Sequence, residues 1–96
     1  MRPVKVYTSS WCGFCTAAKH LLKAKGIPFD EIDTTGDDDV RAWLRQTTGR
    51  RTVPQIFIGD HPIGGYEELR MLDVEGKLGA LLADEDAQVA QAKAPE

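Results

Sequence analysis

The 96-residue chain predicts an α/β fold in one small domain. Three observations carry that reading. Strand-like and helix-like stretches alternate in the order β-α-β-α-β-β-α, with one further helix. Glycine- and proline-bearing turns separate them. The only two cysteines, Cys12 and Cys15, fall where the first strand gives way to the first helix.

Residues 3–8 read as a buried strand, built on Val4-Lys5-Val6-Tyr7 and ended by Thr8-Ser9-Ser10. Trp11-Cys12-Gly13-Phe14-Cys15 follows, and a helix is expected from about Cys12 to Lys25, stopped by Gly26 and Pro28. Its apolar stripe is Phe14, Ala17, Ala18, Leu21 and Leu22. His20 falls off that stripe and reads as a solvated surface histidine. A helix starting there puts the first thiol at its N-terminus, where unpaired N–H groups and the helix dipole favour a thiolate. Cys15 lies one turn on, within reach of a small disulfide. Zinc would need four N/S ligands, and the chain has neither a second C-x-x-C nor an H-x3-5-H pair. A loop this short stabilises a fold little, so the pair reads as a dithiol redox site.

Residues 28–33 alternate apolar and polar, as a half-buried strand does. After the turn Thr34-Thr35-Gly36, Asp37, Asp38 and Asp39 open a second helix, whose dipole favours the acids better than any metal-site reading does. Val40, Trp43, Leu44 and Thr47 are its expected inward face, with Trp43 in the core, and Gly49 its stop. The strand over 53–58 contains Pro54, which must stand at its start or in a special geometry. Gly59-Asp60-His61-Pro62 turns the chain into a hairpin with a short strand at Ile63. Gly64-Gly65 permits a close backbone approach before a helix opening at Tyr66. Leu78, Leu81 and Leu82 mark a short final helix.

Apolar content is 42%, and no run nears the roughly 18 apolar residues of a membrane span. The N-terminus enters a strand pattern without a signal-like region, so a cytoplasmic protein is expected. Residues 84–96 hold four of the fifteen acids and one of the twelve bases, leaving eleven of each in residues 1–83. The domain is therefore 1–83, with an acidic, disordered tail over 84–96, and no nucleic-acid surface is expected.

Three motifs in order, Cys12-Gly13-Phe14-Cys15, Thr52-Val53-Pro54-Gln55-Ile56-Phe57 and Ile63-Gly64-Gly65-Tyr66-Glu67-Glu68, make residues 3–83 resemble a glutaredoxin. The resemblance implies a thioredoxin-like fold, a four-stranded mixed sheet flanked by helices, with a cis bond at Val53–Pro54. It also implies a glutathione-dependent oxidoreductase that reduces glutathionylated and protein disulfides, with Cys12 as nucleophile and Cys15 resolving. Glutathione would be held by Arg50, Arg51, Thr52, Val53, Pro54, Gly65, Tyr66 and Glu67. Helix N–H groups at Tyr66 and Glu67 suit its γ-glutamyl carboxylate, and the Glu67 carboxylate its ammonium. Val53 would pair main chain with its cysteine, and Arg50 or Arg51 would take the glycine carboxylate. Ser9 stands where many relatives carry a contacting lysine, and Tyr66-Glu67 where many have a small residue and aspartate. Gly13-Phe14 is similar to the single-thiol C-G-F-S branch, whose members carry iron–sulfur clusters. The alternative function is thus a [2Fe–2S] carrier, with two chains giving Cys12 each and two glutathiones completing the ligands. A monomer is expected otherwise, with no resident metal.

Overall fold

The computed structural model describes residues 1–83, and the tail expected over 84–96 lies outside the described residues. Four strands and three helices follow in the expected order: β1 (Val4–Thr8), α1 (Gly13–Ala24), β2 (Asp30–Asp33), α2 (Asp38–Thr48), β3 (Gln55–Ile58), β4 (His61–Gly64) and α3 (Tyr66–Val74). Residues 78–83 are helical again. The strands form one mixed sheet in the order β2-β1-β3-β4, which is the thioredoxin-like arrangement. β1 runs parallel to β2 and antiparallel to β3, and β3 pairs antiparallel with β4.

Period-two alternation divides β1 between the two sheet faces. Val4, Val6 and Thr8 are buried, whereas Lys5 and Tyr7 point the other way. Central β3 is buried at every position. On the first face Val4, Val6, Ile56 and Ile58 meet Ala18 and Leu22 of α1, Leu69 of α3, and Leu78 and Leu82. The buried positions of α1 are Cys15, Ala18 and Leu22. Ala18 and Leu22 of the expected stripe are thus in the core and Leu21 packs against it, but at its start Cys15 is buried and Phe14 is 62% exposed.

The second face lies beneath α2. Asp37 caps this helix, its Oδ1 accepting the Val40 N–H at 3.1 Å, and Gly49 closes it at φ +76°. Leu44 alone is buried in α2. Trp43 is 45% exposed, a correction to its expected core position. Its ring rests on Tyr7 and Phe57 at centroid distances of 5.8 and 5.7 Å, so one side packs and the other meets solvent. Thr47 is exposed as well. Among the described residues no helix is long and apolar enough to cross a membrane.

Candidate active site

Cys12 is the N-cap of α1, with extended backbone, and its Sγ accepts the Cys15 N–H at 3.1 Å. The helix therefore presents a backbone donor to this sulfur, an arrangement that favours negative charge on it. Cys12 and Cys15 are joined as a disulfide, with Cα atoms 5.2 Å apart. Cys15 is 2% exposed, while Cys12 is only half-buried. Trp11, just before the cap, is fully exposed and holds a left-handed φ of +59°.

The second motif meets the first across space. Val53–Pro54 is a cis peptide bond, and the Val53 carbonyl oxygen lies 3.7 Å from Cys12 Sγ. Val53 stands beyond the last ladder pair, Tyr7–Gln55, so its main chain is outside the β1–β3 ladder. Pro54 precedes β3, which removes the conflict between a proline and a strand interior.

The third motif closes the cleft. A Cβ at Gly65 would lie 3.2 Å from the Pro54 carbonyl oxygen, so the glycine allows the two loops to touch. Gly64 has φ +110°, and a Cβ there would fall 2.8 Å from the Glu68 side chain. Glu68 was no sequence candidate, yet it organises this corner. Its Oε1 accepts the Gly65 N–H at 2.7 Å, and its Oε2 pairs with Arg50 at 3.1 Å. The Arg50 hydrogen bond, then the Gly65 N–H, hold its carboxyl below the ordinary value of 4.5. Its spacing of three residues from the cap glycine is the signal that identifies it, half of a capping box.

One cleft of about 260 Å³ brings together Arg50, Thr52, Val53, Pro54, Gly65, Tyr66 and Glu67. Phe14, lost from the core, forms another wall by stacking on Tyr66 at 6.1 Å. The Glu67 carboxylate is turned to Arg70 at 3.5 Å, in an exposed pair. Arg51 lines an adjoining cavity with Ser9 and Val53, joined by Arg41 and Arg45 of α2. Neither α2 arginine was a sequence candidate. Both lie off the apolar stripe, and only the docking of α2 shows which loop they face.

On the other side of the dithiol, a second cleft contains Cys12, Cys15, Lys19 and Glu31. Lys19 pairs with Glu31 at 3.0 Å, and the Thr8 hydroxyl donates to the same carboxylate oxygen at 2.8 Å. The Thr8 hydrogen bond, then that from Lys19, hold Glu31 below the ordinary 4.5. Two thiols, one exposed beside a helix cap and one buried behind it, can exchange with an external disulfide and then close on each other.

The family model described as Glutaredoxin matches residues 4–63. A glutaredoxin of Pseudomonas aeruginosa is 47% identical over 83 residues, covering 86% of this chain and 99% of its relative. Glutaredoxin 3 of Escherichia coli is 43% identical over 82 residues, covering 85% and 99%. Among solved structures, a buckwheat glutaredoxin–glutathione complex has a TM-score of 0.80 at 33% identity, covering 86% of this chain and 78% of that one. A Brucella melitensis glutaredoxin has a TM-score of 0.77 at 45% identity, covering 85% and 89%. With a dithiol set at a helix cap against a cis-proline loop, and relatives that match nearly end to end, the chain belongs to the glutaredoxin family and is a thiol–disulfide oxidoreductase.

Proposed function

We propose that the protein reduces glutathionylated proteins and protein disulfides at the expense of glutathione. The observation that carries this is Cys12 Sγ, supplied with a backbone N–H from the helix and set 3.7 Å from the Val53 carbonyl. In the reduced protein the Cys12 thiolate attacks a substrate disulfide, forming a mixed disulfide and releasing one thiol. Glutathione then frees Cys12 by the monothiol route. In the dithiol route Cys15 displaces the second thiol, forming the Cys12–Cys15 disulfide, and two glutathiones restore both thiols as glutathione disulfide forms.

The cleft at the start of α3 suits the γ-glutamyl end of glutathione. The N-terminal N–H groups at Tyr66 and Glu67 can meet its carboxylate. The Glu67 carboxylate can exchange its exposed Arg70 partner for the ammonium. Thr52, Val53, Pro54 and Gly65 form the wall along which the cysteine portion would extend. Of the two arginines proposed for the glycine carboxylate, Arg50 is already paired with Glu68, which favours Arg51. The solved buckwheat relative in complex with glutathione supports this choice of ligand. We take residues 1–83 as the working unit, acting as a monomer in the reducing cytoplasm, where such a dithiol is kept supplied with electrons.

The [2Fe–2S] alternative requires four thiolates. This chain offers Cys12 and Cys15, and among the described residues no group of three or more His, Cys, Asp or Glu can hold a metal ion. The alternative draws one thiolate from Cys12 of each of two chains and two from glutathione, so its full donor set lies outside a single chain, and no step is assigned to a cluster.

The test is a disulfide-reduction assay coupled through glutathione reductase. Wild type is expected to turn over a glutathionylated peptide, Cys12→Ser to be inactive, and Cys15→Ser to retain the monothiol reaction. Glutathione-independent turnover, or activity surviving in Cys12→Ser, refutes the proposal.

A further inference from the structure

The cavity between α2 and residues 50–53 measures about 270 Å³ and is lined by Arg41, Arg45, Arg50 and Arg51, with no acidic residue in its wall. Four guanidinium groups in so small a space repel one another unless anions offset them. Two of the four have partners. Arg50 is paired with Glu68 at 3.1 Å. Arg41 donates from Nε to the Thr34 carbonyl at 3.1 Å and stands near Asp33, whose carboxyl is lowered chiefly by hydrogen bonds from Thr35. Arg45 and Arg51 have no side-chain hydrogen bond or ion pair among the described residues. On the glutathione reading, the glycine carboxylate brings one negative charge to Arg51. Arg45, four residues from Arg41 and on the same side of α2, is left unanswered.

The cavity opens toward the reactive sulfur. Ser9 lines both it and the cleft containing Cys12, and Val53 lines both it and the cleft at α3. An anion seated there can thus belong to the molecule whose sulfur meets Cys12. Planar guanidinium groups suit the paired oxygens of a phosphate, and the confined volume suits a compact group better than a folded chain.

We propose that this cavity receives a phosphate or comparable dianionic group of a small thiol, with Arg45 as a binding residue, so that disulfides of phosphate-bearing thiols are also substrates. The inference rests on the oxidoreductase reading above. The Cys12 thiolate attacks the sulfur of the phosphate-bearing half and the other half leaves as its thiolate. Cys15 then attacks Cys12 Sγ, the phosphate-bearing thiol leaves, and two glutathiones reduce the Cys12–Cys15 disulfide.

Coenzyme A disulfide and pantethine share the same arm around the sulfur and differ in the phosphate-bearing nucleotide portion. In the coupled assay wild type is expected to prefer coenzyme A disulfide in kcat/KM, with the preference shrinking as salt is raised. Arg45→Gln should lower kcat/KM for coenzyme A disulfide about five-fold, the loss of roughly 1 kcal/mol. It should leave pantethine and a glutathionylated peptide unchanged, and Arg45→Lys should recover part of the loss. Equal use of the two disulfides by wild type, or an equal fall for both in Arg45→Gln, overturns the inference while turnover of the glutathionylated peptide upholds the broader function. If that peptide is not turned over either, both fall.

Discussion

Cys12 and Cys15 are chemically identical and differ only in where the fold puts them. Cys12 is half-exposed at the helix cap, and Cys15 is 2% exposed behind it. After reduction, brief treatment with iodoacetamide at neutral pH should therefore modify Cys12 before Cys15, as read by peptide mass mapping. Modification of Cys15 first would reverse their assigned roles. Arg51 is the second residue on which the proposal turns. Because the site is partly open, a charge contact there is worth about 1 kcal/mol rather than the larger value of a buried one. Arg51→Ala should raise KM for a glutathionylated substrate about five-fold without changing Cys12 alkylation. Ser9→Lys, placing a cation on the same cavity, should recover part of the loss.

The start of α3 depends on three consecutive functions, strain relief at Gly64, close approach at Gly65 and anchoring by Glu68. Gly64→Ala adds a Cβ at φ +110° that also meets the Glu68 side chain at 2.8 Å. A loss of at least about 1–2 kcal/mol in denaturant unfolding is expected, the ordinary cost of a left-handed residue with a side chain. Glu68 makes this helix start sensitive to acid. Its folded carboxyl is lowered, so its stabilisation is present above the unfolded value near 4.5 and is lost as pH falls through the folded value. Glu68→Gln keeps an acceptor for Gly65 but removes the charge. Its stability deficit should hold steady above pH 4.5, stay under about 1 kcal/mol for so exposed a pair, and vanish in stronger acid. Unfolding midpoints across pH provide the check, and a deficit that grows in acid would contradict the linkage.

The sheet is covered unequally, and the molecule's stability should be distributed accordingly. On one face Leu69, fully buried, packs with Leu22, Ile56 and Ile58. Leu69→Ala should cost roughly 2–5 kcal/mol in denaturant unfolding. On the other, Trp43 rests on Tyr7 and Phe57 but keeps 45% of its surface in solvent. Trp43→Ala removes a larger side chain, yet should cost less than Leu69→Ala, because one side of the ring was never withdrawn from water. The opposite ranking would show that the aromatic layer, and not the leucine cluster, holds the sheet together.

The order of elements, the helix stops at Gly26 and Gly49, the acids at the start of α2 and the dithiol at a helix N-terminus were all legible in the sequence, because each follows from neighbours a few residues apart, whereas the role of Asp37 as the cap itself came from the structure. The meeting of three distant motifs was legible through family resemblance alone, since no local pattern places Val53 beside Cys12 or Gly65 against Pro54. Periodicity also marked Phe14 and Trp43 as inward, although neither ring is buried. A helical stripe says which side of a helix is apolar, but how far the partner surface extends beneath it is decided in three dimensions. The same limit hid Glu68, Arg41 and Arg45. Their charges are plain in the sequence, but pairing Glu68 with Arg50, and turning two α2 arginines onto the loop beside Cys12, required the packed sheet and helices to bring those segments together.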